Sequence, residues 1–369
     1  MTPLSEQRSE RVYRLTRGVK RSTLYAILAT GGVLMCFPFV WMLLTSFKTY
    51  AEAIATPPTI FPNDWGLRVA AAATMVRIYP WTVAVFVLWV GAGWIALRRL
   101  DDRTVRALLM VLYVAAFFVV ADLARWGQWQ MSELYAVAKA RMGIDLEPLW
   151  QNYVDAWDRA PFAHYFRNSL LVSTLTPLAI ILTSAPAAYA FARLEFPGQG
   201  LIFMLYLATM MVPSEVILIP NFITISQLGW RNTYLALIMP YSVSVISIFF
   251  LRQFFRSVPN DLYDAAVIDG SGHVRFLLSI AMPLARPALV STALFNFLGS
   301  WNALLWPLLV TDKEEMRPIA LGLASFSTEA GMQAQLYMAA ASFSIIPVLI
   351  LFLFVQEEFI AGIARTGIK

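Results

Sequence analysis

Residues 261–287 read DLYDAAVIDGSGHVRFLLSIAMPLARP. This polar interlude separates two long apolar runs. Pro259-Asn260-Asp261 reads as a helix start, with Asn260 as the capping residue and Asp261 and Asp264 near the positive end of the helix dipole. Gly270 supplies the stop. The helix between them spans roughly two to three turns, or about 14 Å at 1.5 Å per residue. Ala265 and Ala266 set two small side chains together, so another protein surface can approach closely. Gly270, Ser271 and Gly272 permit a sharp turn. Residues 274–280 are apolar enough to lie along a membrane face before Pro283 and Pro287 return the chain to it.

The flanking runs set the class. Of 369 residues, 59% are hydrophobic and only 14% charged, with a mean hydropathy of +0.63. Soluble domains carry roughly 25% charged residues. The apolar runs are long enough for about 30 Å of hydrocarbon, which takes about 20 helical residues. A β-barrel would show short segments of alternating polarity, and none is visible. The expected class is an all-α polytopic membrane protein. The net charge of +5 is explained by membrane orientation without nucleic acid. Cys36 is the single cysteine, so neither an internal disulfide nor a Cys/His metal pattern is available. His164 and His273 read as interfacial or loop residues.

The basic side chains predict which ends face the cytoplasm. Arg8, Arg11, Arg14, Arg17, Lys20 and Arg21 precede an uncharged run, 22–47, which is too long for a secretory signal and lacks its cleavage site. It reads as a first span with residues 1–21 as a cytoplasmic tail and residues 22–63 as span plus external link. Runs 81–97 and 105–121 form a hairpin around Arg98, Arg99, Arg103 and Arg106, within an insert of residues 64–149. Further spans are expected at 168–192, 201–220, 233–250, 288–310 and 337–355, giving eight in all. Arg193, Arg252, Arg256, Arg275, Arg286, Arg365 and Lys369 then fall inside, while Asp312, Glu314 and Glu315 fall outside, as the positive-inside rule requires. Both termini are cytoplasmic in this scheme. Pro177, Pro186, Pro213, Pro240, Pro307 and Pro347 fall inside spans, where neighbouring groups can re-satisfy the backbone.

The spacing of the opening stretch is informative in itself. Asp264-Ala265-Ala266 is followed after three residues by Gly270, and after nine more by Ile280-x-Met282-Pro283. Asp-Ala-Ala alone would describe any surface helix. The full pattern resembles the cytoplasmic loop EAA-x3-G-x9-I-x-L-P of ATP-binding-cassette importer permeases. More of the chain is similar to the MalG- and UgpE-like second permease subunits of carbohydrate importers: Pro38-x-x-Trp41, Ser46-Phe47-Lys48, Tyr165-Phe166-Arg167-Asn168-Ser169, Met211-Val212-Pro213, Ile219-Pro220, Leu228-Gly229, Asn232-Thr233, Phe250-Leu251-Arg252-Gln253-Phe254-Phe255, Ile268-Asp269-Gly270, Trp301-Asn302 and Leu305-Trp306-Pro307-Leu308. The likeness covers about residues 15–62 and 150–369.

That resemblance implies a type I importer transmembrane domain, with six core helices plus the inserted two-helix hairpin. Residues 150–355 would be the core permease domain, 257–287 its coupling loop and 356–369 a cytoplasmic tail. It further implies a MalF/UgpA-like second permease subunit, two ATPase subunits that carry the ATP and Mg, and an extracytoplasmic solute-binding protein, in a bacterial inner membrane. This chain would bind no cofactor itself. The coupling residues would be Asp264, Ala265, Ala266, Gly270, Ile280 and Pro283. Three positions depart from the pattern. Asp264 stands for Glu, one methylene shorter. Met282 stands for Leu, a volume-conserving exchange. Gln356-Glu357-Glu358-Phe359 stands where Gln-Arg-Tyr-Phe is usual, which reverses a charge in the tail.

No GxxxxGK[ST] phosphate loop occurs in the chain, so ATP hydrolysis by that route belongs to partners. Candidates for the solute pathway are Glu215, an ionisable residue inside an apolar run, and Ser300-Trp301-Asn302, an aromatic face beside amide and hydroxyl groups. The competing readings are a hydrated carboxylate at the outer end and helix packing by the amide. An ion-coupled carrier or channel is the rival class. It would need buried carboxylates or charged pairs in its spans, and Glu215 is almost the whole supply.

Overall fold

The computed structural model describes residues 4–62, 151–329 and 333–366, and among them helix is the only regular secondary structure. The predicted hairpin of the 64–149 insert lies outside the described residues. α1 (Leu4–Ser46) runs unbroken for 43 residues, about 64 Å at 1.5 Å per residue. Its apolar part, Thr23–Ser46, is long enough to cross a membrane. Just beyond it, Thr49 and Glu52 close a capping box at the start of α2 (Tyr50–Ala53). Lys48 is buried there, 2% exposed, with its Nζ donating to the Thr59 carbonyl and lying 4.5 Å from the Trp41 ring.

After the insert come α3 (Gln151–Arg159) and α4 (Phe162–Arg193). α4 is the axle of the fold. It packs along both α8 (Val245–Ser257) and α12 (Arg286–Trp301). Its inward face is built mainly of small or hydroxylic residues, Ser169, Ser173, Thr176, Ser184 and Ala188, at helical spacing, with Ile180 among them. Such residues let helix backbones approach closely in a membrane protein.

Three expected spans are bent. α5 (Gln199–Ala208) and a following turn of 3-10 helix meet α6 (Ser214–Gln227) at 95°. The run 201–220 is therefore two helices and not one straight span. Pro213 has no N–H to continue the first helix and precedes the first turn of the second. α7 (Tyr234–Ile238) and α8 meet at 47° around Pro240, with Ser244 accepting from the Ser247 N–H to cap α8. The loop then forms α9 (Asn260–Ile268), α10 (His273–Phe276), a π-helical turn (Leu277–Ala281) and α11 (Met282–Leu284), before α12 leaves at 79°. The run 288–310 also breaks: α12 ends at Trp301 and α13 (Leu305–Val310) restarts after Asn302. Pro307 cannot donate an N–H back to the break. α14 (Ile319–Glu329) and α15 (Ala334–Thr366) complete the chain. α15 continues as helix through the expected tail boundary at 356. The described residues thus hold three helices long and apolar enough to cross a membrane, and up to six spans if each bent pair is counted as one.

Two cores lie at opposite ends of α4. At its N-terminal end Trp157, Phe162, Phe166, Trp301, Phe326 and Phe343 pack together. There Asn168 donates to the Glu315 and Arg317 carbonyls and accepts from the Tyr234 hydroxyl, and Ser169 accepts from the Ile319 N–H. At its C-terminal end Ala185, Ala188 and Tyr189 pack with Phe255, Ala266, Phe276 and Leu277. From Tyr165 to Tyr189 the helix rises about 36 Å, more than the hydrocarbon thickness of about 30 Å. The segment 311–318 and the loop 257–287 therefore stand on opposite sides of a bilayer-thick body.

Candidate functional site

α9 is a two-faced helix of nine residues. Tyr263 and Ala266, three apart, point inward; Ala266 is 5% exposed in the core at the end of α4. Asp261, Asp264, Ala265 and Ile268 lie at i, i+3, i+4 and i+7 and are all exposed, Ile268 by 86%. The outward face thus sets an exposed apolar side chain beside a carboxylate and a methyl.

The helix ends as its sequence requires. Asp269 is the C-cap and Gly270 follows at φ +77°. The Ser271 N–H donates to the Ala266 carbonyl at 2.8 Å and the Gly270 N–H to the Val267 carbonyl at 2.9 Å. This is the Schellman closure, with glycine at the left-handed position. The start differs from the expectation. Pro259 is the N-cap and Asn260 is the first helical residue, so Asn260 does not cap. Its Oδ1 accepts instead from the Arg193 guanidinium.

Arg193 is the anchor that the spacing did not reveal. From the last turn of α4 it donates to the Phe255 carbonyl at 3.0 Å, to the Val258 carbonyl and to Asn260. Arg252 on α8 reaches back to the Phe191 carbonyl at 2.9 Å, with its guanidinium 4.1 Å from the Phe203 ring centre. These groups, with Glu195, Gln199, Arg256, Tyr263 and Asp264, line a polar cleft of about 470 Å³ beside α9. In sequence each looked like an ordinary cytoplasmic arginine. The one available signal was that Arg193 ends α4, where free carbonyls collect; Arg252 sits midway along α8 and carried no such signal.

The remaining loop positions divide by burial. Ile280 and Met282 pack half-buried against the core around Phe276, while Gly270 and Pro283 are exposed. The pathway candidates are not gathered into one place by any contact. Glu215 is exposed in the first turn of α6 and accepts from the Ser214 hydroxyl at 3.0 Å. Asn302 is exposed and donates to the Leu298 carbonyl at 2.9 Å; Ser300 is partly exposed. Trp301 is 4% exposed, stacked on Phe297 at 5.8 Å within the N-terminal core of α4. Among the described residues no group of three His, Cys, Asp or Glu is placed to hold a metal ion.

Comparison with known proteins agrees with this geometry. The profile described as "Binding-protein-dependent transport system inner membrane component" matches residues 162–364, more than half of the chain. The arabinooligosaccharides transport system permease protein AraQ of Halalkalibacterium halodurans is 37% identical over 205 residues, covering 56% of this chain and 74% of that protein. The diacetylchitobiose uptake system permease protein NgcG of Streptomyces coelicolor is 34% identical over 227 residues, covering 59% and 73%. The sn-glycerol-3-phosphate transport system permease protein UgpE of Yersinia enterocolitica is 33% identical over 223 residues, covering 58% and 79%. In fold, the chain is similar to a chain of a bacterial ABC transporter involved in the import of the acidic polysaccharide alginate, with a TM-score of 0.52 at 20% identity, covering 66% of this chain and 97% of that one. This chain belongs to the family of inner-membrane components of binding-protein-dependent transport systems, and is a multi-pass ABC importer permease.

Proposed function

We propose that this permease imports a sugar or related solute, and that α9 is where ATPase subunits drive it. The carrying observation is the outward face of α9, where Asp264, Ala265 and the 86%-exposed Ile268 stand clear of the core that holds Ala266. An ATPase seated on that face moves α9, and the core around Phe276 and Tyr189 hands the motion to α4. The loop is then cytoplasmic, and 311–318 faces the solute-binding protein. Both termini are cytoplasmic. ATP and Mg are held by the partner subunits, and a second permease completes the pathway.

The solute class rests on the relatives, whose names span arabinooligosaccharides, diacetylchitobiose and sn-glycerol-3-phosphate. Glu215 and Asn302 are the exposed pathway candidates, and Ser300 is partly exposed. Trp301 would reach a solute only by leaving its stack on Phe297.

Copurification tests the reading. ATPase subunits should accompany this chain from its native membrane, and uptake should be sensitive to vanadate. Vanadate-insensitive uptake that follows an ion gradient would replace the reading with an ion-coupled carrier.

A further inference from the structure

The covalent link between α9 and α10 is its own weak point. Gly270, Ser271 and Gly272 join the two helices, and Gly270 already occupies a left-handed conformation at φ +77°. Glycine backbone is conformationally permissive, and Gly272 lies beyond the Schellman bonds that tie Gly270 and Ser271 to α9. A push on α9 carried by this link alone would be absorbed as rotation about it.

A second, noncovalent connection bypasses the link. Tyr263 of α9 lies over His273, the first residue of α10, with ring centres 5.2 Å apart and planes at 12°. The Tyr263 hydroxyl oxygen is 3.1 Å from Nδ1 and 3.2 Å from Nε2. Near-equal distances to both nitrogens in a stacked pair put that oxygen over the imidazole face, so the contact is a stack and not an in-plane hydrogen bond. The other contact of Nδ1 is the Tyr189 hydroxyl, 3.2 Å away, from a ring tilted at 62°. Tyr189 is 4% exposed and fixed in the core against Phe255 and Phe276. Phe276 closes the ring of contacts by meeting Tyr263 edge-on at 5.1 Å and 90°. Tyr189 and Arg193 are four residues apart on α4, so one turn of that helix holds the loop on both sides of α9. Arg193 holds its entrance at Val258 and Asn260, and Tyr189 holds its exit through His273.

We propose that His273 is a positioning residue for coupling. It carries displacement of α9 across the glycine link to the end of α4, through the Tyr263 stack on one side and the Tyr189 hydroxyl on the other. This rests on α9 being the ATPase contact.

The test uses the assembled importer in lipid, with ATP and vanadate as the probe and hydrogen–deuterium exchange as the readout. In the wild type, ATP with vanadate should change exchange both at 258–270 and at 185–193. In His273→Ala the change at 258–270 should persist, while the change at 185–193 falls about threefold or more, the usual range for altered coupling. Tyr189→Phe, which removes a single oxygen, should do the same, and the double variant should lose no more than the larger single loss. A wild-type-sized response at 185–193 in either single variant overturns the proposal, as do additive losses in the double. If His273→Ala does not assemble, Tyr189→Phe decides by the same criterion. A wild-type complex with no response at 258–270 would instead overturn the reading of α9 as the ATPase contact.

Discussion

Gly270 gives the sharpest prediction. Its φ of +77° is one that L side chains rarely adopt, yet a Cβ built there meets nothing within 4 Å. Sterics with neighbours are thus removed from the problem, and the cost of a side chain is purely that of the left-handed backbone, about 1–2 kcal/mol for alanine. Asparagine tolerates that conformation and pays least; a β-branched valine pays most. If the Schellman closure is itself marginal, alanine lowers its population by up to about 5- to 30-fold, and the apparent affinity for the ATPase falls by the same factor.

The assay is the Kd of the ATPase subunit for the purified permease pair in lipid nanodiscs. The expected order of affinity is Gly, then Asn, then Ala, then Val at position 270. Gly272 is the internal control. It is equally open around its Cβ but sits at φ −83°, ψ 173°, an ordinary extended conformation. Gly272→Ala should leave the Kd within about twofold, since that backbone carries no left-handed penalty. If Gly270→Val binds as tightly as Gly270→Asn, or if Gly272→Ala weakens binding as much as Gly270→Ala, the loop is not held by its left-handed turn.

Five further outcomes follow from single residues. Ala265→Trp should abolish ATPase retention and leave the melting temperature of the permease unchanged, because Ala265 is exposed. Ala266→Leu should lower that melting temperature through overpacking worth about 1–3 kcal/mol, because Ala266 is buried in the core. Asn168→Ala strands the Tyr234 hydroxyl and the Glu315 and Arg317 carbonyls, and should cost about 2–3 kcal/mol in denaturant titration of the solubilised protein. Gly322→Ala would place a Cβ 2.2 Å from Cδ2 of the buried Tyr165 ring and should destabilise by a similar amount, read in the same titration. Lys48 supplies a pH signature. Burial lowers its pKa from 10.5, against the opposing charge of Glu52. Between the lowered value and 10.5 the unfolded chain holds more protons than the folded one, so stability rises with pH across that window. Lys48→Met should abolish the rise in thermal melts taken at increasing alkaline pH, and a rise of unchanged size would rule Lys48 out as its source.

Much of the loop was legible because its determinants are local. A glycine four positions beyond Ala266 dictates where α9 stops, although pairing Ala265 with Ala266 as one approachable surface did not show that Ala266 turns into the core while Ala265 stays exposed. The all-α membrane class was legible for the same reason, since hydropathy is additive along the chain. The bends were not, because hydropathy ignores direction. Residues 201–220 score as one apolar run whether or not the backbone turns at Pro213. A weak local signal for the break does exist: Pro213-Ser214-Glu215 places a proline and then an acid where a new helix would begin, and Glu215 is in fact in the first turn of α6. Read this way, Glu215 is the entry to a second helix before it is an ionisable group inside a span.

The illegible part is tertiary, and it bears directly on coupling. Trp301 looked like a sugar platform because it stands beside an amide, but its surroundings are supplied by α4 and α15, more than 40 residues away on one side, through Phe166 and Phe343. Tyr189 lies in an apolar run that any helix could share and Arg193 just past its end, and nothing in that stretch specifies that Val258, Asn260 and His273 will be their partners. On the coupling proposed above, the motif spacing of the loop describes the face offered to the ATPase, whereas the face that receives the push is written in residues about 65–85 positions upstream. A variant series confined to the motif would test docking alone. Only variants at Tyr189, Arg193 and His273 ask whether a docked ATPase can move the permease.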